Sequence, residues 1–202
     1  MLRYNEFIDY LAGLVLGDGD LYYRRSKNEY RIRISDSSRE FLEMISIFVE
    51  KLLGINVRIY RHSKYKCFIL VIYNKELYHR IVKRIEKNLR EPTIAFIRGL
   101  FDAEGGVNKS VNKVIRIHFT NKDRRIINIV SKTLEELGVK HYITKAGNNK
   151  YKIFICNKRN TLKFLYLVKT LHPKITLKYL NLVSSTISLE NPKRSADRVT
   201  AP

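Results

Sequence analysis

Apolar and polar positions along this chain follow two periods that take turns. Strict alternation marks Arg31-Ile32-Arg33-Ile34-Ser35 and Val114-Ile115-Arg116-Ile117-His118-Phe119-Thr120. Weaker alternation marks Val57-Arg58-Ile59-Tyr60-Arg61 and Tyr151-Lys152-Ile153-Phe154-Ile155. A period of two builds a strand with one buried and one wet face, and here many wet positions are basic. Tyr22 to Arg25 reads as a further strand. Helical spacing runs from about Glu6 to Asp18, with Asn5 as its N-cap, and from about Thr93 to Glu104, with Pro92 near its first position. Ser37-x-x-Glu40 is a capping-box signal before Phe41-Leu42-x-Met44-Ile45, and that helix continues to Leu53 and stops at Gly54. Asn121 or Asp123 opens a comparable helix through Ile126, Ile129, Val130 and Leu134, ended by Gly138. Lys75 to Asn88 and Thr161 to Lys169 read as helices, His172-Pro173 interrupts the chain, and Thr176 to Leu189 reads as one extra helix.

The order of elements repeats once. Tyr10-Leu11-Ala12-Gly13-Leu14-Val15-Leu16-Gly17-Asp18-Gly19 corresponds to Phe96-Ile97-Arg98-Gly99-Leu100-Phe101-Asp102-Ala103-Glu104-Gly105 at an offset of 86 residues. Ile34-Ser35-Asp36-Ser37-Ser38-Arg39 pairs with Phe119-Thr120-Asn121-Lys122-Asp123-Arg124 at 85, and Gly54 with Gly138 at 84. A near-constant offset across three landmarks is the signature of a tandem duplication. Each unit is read as αββαββα, so the fold class is α+β with antiparallel sheets. Residues 1–88 form the first half, 89–92 a linker, 93–189 the second half and 190–202 a polar, flexible tail. So short a linker places the halves side by side.

The repeated helix carries the candidate chemistry. Gly13 and Gly17 lie four apart on one helix face, as do Gly99 and Ala103. Glycine within a helix costs about 0.5–1 kcal/mol relative to alanine, so two in one helix call for close approach of another backbone. The matching helix of the other repeat is the natural partner. Such a pair carries Asp18 and Glu104 to its C-terminal ends, where the helix dipoles are negative and the two carboxylates repel each other. A divalent cation resolves that conflict, and carboxylate, backbone and water oxygens suit Mg²⁺.

Composition supplies the partner. The 202 residues include 39 Lys and Arg against 19 Asp and Glu, a formal net charge of +20. At a sequence pI near 10.0, such a chain points to a polyanion, first of all nucleic acid. With 45% apolar residues it can build a core, which excludes a wholly disordered chain. No apolar run approaches the roughly 18 residues of a membrane span, and Met1 to Glu6 lacks a signal-peptide core. Cys67 and Cys156 form no spacing motif and fit a reduced, intracellular and cytoplasmic setting. The five histidines (His62, His79, His118, His141, His172) show no zinc-ligand spacing.

The two decapeptides resemble the paired signature of the LAGLIDADG homing endonucleases, in the monomeric form that carries both copies in one chain. The match is close in Leu11-Ala12-Gly13-Leu14-x-x-Gly17-Asp18-Gly19 and looser in the second copy, where glutamate stands at the final acidic position. The short linker and compact size are similar to archaeal intron-encoded members. The resemblance implies two units about a pseudo-twofold axis through the motif helices, with strands forming a saddle on a long, asymmetric double-stranded DNA site. It also implies Mg²⁺, replaceable by Mn²⁺, bound by Asp18 with Gly17 and by Glu104 with Ala103. The implied reaction is hydrolysis of one phosphodiester per strand, leaving short 3′ overhangs. Asn121 and Lys122 match the family's polar and basic residues near the scissile phosphates; the first unit offers Asp36 and Ser37 there and lacks the basic member. Lys174 or Lys178 is the candidate for the missing cation, and unequal cleavage of the two strands is expected. The outward strand positions expected on DNA are Tyr23, Arg25, Arg31, Arg33, Ser35, Arg58, Arg61, Arg116, His118 and Lys152. Two rivals remain open: an RNA maturase that binds its host intron RNA without needing the carboxylates, and a transcription regulator built on the degenerated fold.

Overall fold

The computed structural model describes residues 3–109, 115–147 and 149–190. The first unit comprises α1 (Tyr4–Asp18), β1 (Gly19–Arg24), a 3₁₀ turn (Arg25–Lys27), β2 (Glu29–Asp36), α2 (Arg39–Leu53), β3 (Arg58–Arg61), β4 (Phe68–Tyr73) and α3 (Lys75–Asn88). The second repeats the order as α4 (Ile94–Glu104), β5 (Gly105–Lys109), β6 (Ile115–Asn121), α5 (Arg124–Glu136), β7 (Tyr142–Ala146), β8 (Lys150–Ile155) and α6 (Lys158–Val168), and α7 (Pro173–Glu190) follows. Val114, read as the start of β6, and the tail 191–202 lie outside the described residues.

Helix starts differ from the sequence reading by small, explicable amounts. Glu6 Oε2 accepts from the Arg3 backbone N–H at 3.0 Å, so α1 begins before Asn5, whose side chain instead accepts from Arg84. Ser38, not Ser37, caps α2, because its Oγ accepts from Phe41 N at 3.1 Å. Pro173 starts α7: its fixed φ suits a first helical position, so the helix begins three residues earlier than expected. Asn157 caps α6, which begins at Lys158 rather than Thr161.

Both sheets are antiparallel, in the orders β1-β2-β4-β3 and β5-β6-β8-β7. Their inner faces bury Ile32, Ile34, Leu70 and Ile72 in one half and Val107, Ile117, Phe119, Ile153 and Ile155 in the other. Onto these faces pack the apolar stripes of α2 (Phe41, Leu42, Ile45, Val49) and α5 (Ile126, Ile127, Val130, Leu134). The two halves share one core. Buried Asn88 fixes the junction, donating to Asp9 Oδ1 at 3.0 Å and accepting from Thr93 N at 2.8 Å.

Candidate active site and nucleic-acid interface

Helices α1 and α4 meet backbone to backbone. A Cβ on Gly13 would stand 2.2 Å from Phe96 O, and one on Gly99 would stand 2.2 Å from Tyr10 O. One turn further on, a Cβ on Gly17 would lie 2.4 Å from Ala103 Cβ. The crossing delivers Asp18 and Glu104 to neighbouring helix C-termini, where each chain turns into β1 or β5.

These carboxylates share an electrostatically poor place. Burial, then the charge of Asp18, pushes Glu104 up to about 7. Burial also raises Asp18, against the opposing pull of Lys174. Two desolvated acids at the negative ends of two helices, Glu104 raised further by the charge of Asp18 and Asp18 by that of Asp36, mark a site short of positive charge. A neighbouring cleft of about 380 Å³ is lined by Gly17, Glu104, Thr120, Asn121, Lys122 and Lys150 among others, room for several waters at about 30 Å³ each. No third His, Cys, Asp or Glu joins the pair to form a metal-holding group among the described residues. The donor set is therefore two carboxylates and main-chain carbonyls, all hard oxygens. It fits a cation that keeps waters and takes further oxygens from a phosphate substrate.

The polar residues around the pair are asymmetric. In the second unit Asn121 Oδ1 accepts from Asp123 N at 2.8 Å, with Lys122 exposed beside it. In the first unit Asp36 Oδ1 accepts from Ser38 N at 2.7 Å, but its other oxygen meets His172 Nε2 at 3.1 Å. Burial would raise Asp36, and the hydrogen bonds from His172 and Ser38 outweigh it and hold the acid below its ordinary value. His172 is buried and stacks on Phe41 at 4.2 Å. This clasp brings the start of α7 back to the first unit, and Lys174 Nζ donates to Ala103 O at 2.5 Å. Of the two α7 lysines, Lys174 thus stands at the acidic pair, whereas Lys178 acts on His118. Sequence reasoning passed over His172, since no local pattern announces a contact across 136 residues. Lys150, whose charge opposes the rise of Glu104, was missed for the same reason.

The outer sheet faces are polar and cationic. Register and burial place Asp20, Tyr22, Arg31, Arg33, Ser35 and Arg58 on one outer face. Asn108, Arg116, His118, Lys152 and Phe154 share the other. Arg31 lies over the Tyr22 ring at 4.5 Å and Arg116 over Phe154 at 4.5 Å. Five buried side-chain polar atoms lack a protein partner among the described residues, and four of them (Arg31 Nε, Asn108 Oδ1, Arg116 Nε, His118 Nδ1) belong to these faces. Their hydrogen-bonding capacity is unmet by the protein itself, as a surface completed by a polar ligand would show. Three expected contacts fall elsewhere. Tyr23 has the parity of the inward Leu21 and stacks on Tyr30 at 4.5 Å, which in turn meets Tyr78 of α3. Arg61 shares the parity of the inward Ile59. A strand alternates faces residue by residue, so both leave the outer surface. Arg25 sits in the 3₁₀ turn joining β1 to β2.

Two αββαββα units, joined through crossed helices that end in paired carboxylates between two basic sheets, define a duplicated nucleic-acid-binding scaffold with an oxygen-ligand centre. The chain belongs to the LAGLIDADG-like domain family, which matches residues 8–86 and again 91–169. It is 30% identical over 176 residues to the homing endonuclease I-DmoI of Desulfurococcus mucosus, covering 81% of this chain and 87% of that one. The homing endonuclease I-ApeI of Aeropyrum pernix is 28% identical over 185 residues, covering 81% of each. The crystal structure of I-DmoI in complex with DNA and Mn matches with a TM-score of 0.64 at 28% identity, over 84% of this chain and 99% of that one. Helix α7 lies beyond both family matches. No helix among the described residues is long and apolar enough to cross a membrane.

Proposed function

We propose that this protein is a site-specific double-strand DNA endonuclease that hydrolyses one phosphodiester on each strand of a long asymmetric site, leaving short 3′ overhangs. The observation that carries the proposal is the pair of desolvated carboxylates, Asp18 and Glu104, each directly before the first strand of a sheet with a cationic outer face. Magnesium, replaceable by manganese, would be held by Asp18 and Glu104 with the carbonyls of Gly17 and Ala103, supplying Lewis-acid stabilisation of charge on the phosphate and an oriented water. The outer sheet faces bind the duplex and set its register by phosphate and base contacts. Asn121 and Lys122 serve one scissile phosphate with hydrogen bonds and positive charge. On the first-unit side Ser37 carries no charge, and Lys174 replaces the missing cation. No serine or cysteine nucleophile is required, because water attacks the phosphorus.

The test separates cutting from binding. Asp18→Asn and Glu104→Gln abolish cleavage of the target in Mg²⁺ while duplex affinity stays within a few-fold of wild type. Near wild-type cutting of both strands by either variant refutes the assignment. Competition between target duplex and the host intron RNA addresses the maturase alternative: RNA binding that the duplex fails to displace, with the carboxylates dispensable, would favour it.

A further inference from the structure

One outer-face pair on the first sheet is built unlike its surroundings. Asp20 and Arg33 stand directly opposite each other in the β1–β2 ladder. Both Asp20 oxygens accept from Arg33, Oδ1 from Nε at 2.5 Å and Oδ2 from Nη2 at 2.9 Å. The two side chains keep 36% and 43% of their surface exposed, for Arg33 and Asp20 in turn.

The bidentate contact uses the Nε/Nη2 edge of the guanidinium and leaves the Nη1/Nη2 edge open. A planar fork gripped along one edge cannot swing about its last torsions, so the open edge points one way without further ordering cost. Two parallel N–H donors match N7 and O6 of guanine, the commonest specific contact in the major groove. They also match a phosphate, and here the carboxylate decides. Asp20 cancels the charge of Arg33 and would itself repel a phosphate, while the directional donors toward a base edge remain. A free arginine on this face favours the backbone; a buttressed one favours the base.

The position along the strand follows from chain length. Asp20 lies two residues beyond Asp18, about 7 Å at roughly 3.3 Å per residue. That is about two base steps at roughly 3.4 Å each. The counterpart pair in the second sheet is Gly106 opposite His118. There the imidazole lies over the glycine, where a Cβ would stand 2.9 Å from His118 Cε1. No carboxylate and no guanidinium occupy that place, so the device exists in one half alone.

We propose that Asp20 and Arg33 form a pre-organised guanine-reading pair, selecting a G·C base pair about two steps from the cleavage centre in the half-site covered by the first unit. This rests on duplex DNA being the ligand and does not require that the DNA be cut. The alternative is a cross-strand ion pair that only stabilises the sheet. Such an exposed pair contributes little to stability, and it would leave base preference unchanged.

The experiment is selection of bound duplexes from a randomised library by the full-length protein in Ca²⁺, for wild type, Arg33→Lys and Asp20→Asn, each checked by thermal melting. Wild type enriches guanine at one position near the centre of one half-site. Arg33→Lys keeps the charge but not the fork, and reduces that preference roughly 10- to 100-fold while enrichment elsewhere persists. Asp20→Asn reduces it several-fold. Preference at that position unchanged in both variants, or for another base in the wild type, overturns the proposal. A wild type with no enrichment anywhere overturns the DNA-recognition reading with it. Selected duplexes that are bound but never cut in Mg²⁺ overturn only the nuclease assignment and leave the guanine reading supported.

Discussion

Gly99→Ala puts one methyl group into the seam where α1 crosses α4. Its Cβ would lie 2.2 Å from Tyr10 O, 2.8 Å from Leu14 N and 3.0 Å from Gly13 Cα, all backbone atoms of the facing helix. No side chain can rotate away to make room. Carbon approaches a carbonyl oxygen to about 3.3 Å, so the helices must part by about 1 Å. Overpacking of this kind costs roughly 1–3 kcal/mol, and the absence of flexible neighbours argues for the upper end. Alanine returns about 1 kcal/mol through its better helix propensity, leaving a net loss of about 2 kcal/mol. For a chain of this size that lowers the melting temperature by about 4–8 °C, readable by circular dichroism or calorimetry. The same displacement spreads Asp18 from Glu104, and a shift of about 1 Å at a catalytic centre can reduce rate about 100-fold. Gly147→Ala is the control, because nothing lies within 4 Å of its added Cβ; it should change stability by less than about 0.5 kcal/mol. A Gly99→Ala protein as stable as wild type and cutting at the same rate would refute the close-seam reasoning.

Three further outcomes follow from the site and the sheet faces. Lys174→Met removes the cation at Ala103 O and Asp18; it should slow one strand about 100-fold, so that nicked DNA accumulates on a gel, whereas equal slowing of both strands would contradict the one-sided role. Burial, followed by the charges of Lys152, Lys178 and Arg116, pushes His118 down to about 4. At this ring the folded state binds fewer protons than the unfolded one between about pH 6.5 and 4, so its own contribution to stability falls by about 2 kcal/mol as pH drops through that window, less than the full shift because solvent screens a half-buried group. Glu104 and Asp102, raised to about 7 and about 6, act in the opposite sense in both proteins, so the readout is the difference: urea melts at pH 4 and 7 should show wild type losing stability relative to His118→Phe as pH falls. Finally, contacts to about 6–10 phosphates should cost roughly 10³- to 10⁵-fold in duplex affinity between about 50 and 200 mM salt; a flat response in a filter or fluorescence assay would exclude the cationic saddle.

Much of the architecture was written locally. The duplication, the order of elements and the α+β class follow from periodicity and from landmarks that recur at a nearly fixed offset. Small residues at helical spacing in both copies, Gly13 with Gly17 and Gly99 with Ala103, announced a close helix crossing, because only a facing backbone repays the cost of glycine inside a helix. Other features depended on tertiary structure. Strand parity is lost to an error of one residue, which is why Tyr23 and Arg61 were read as outward although their neighbours in the ladder turn them inward. The clasp of His172 on Asp36 and the reach of Lys174 to Ala103 join residues 136 and 71 positions apart, and no local pattern encodes such pairs. The pairing of Asp20 with Arg33 likewise required the β1–β2 register. Short-range periodicity specifies which face of an element is apolar; only the packed fold specifies which elements meet, and with them which charges stand together.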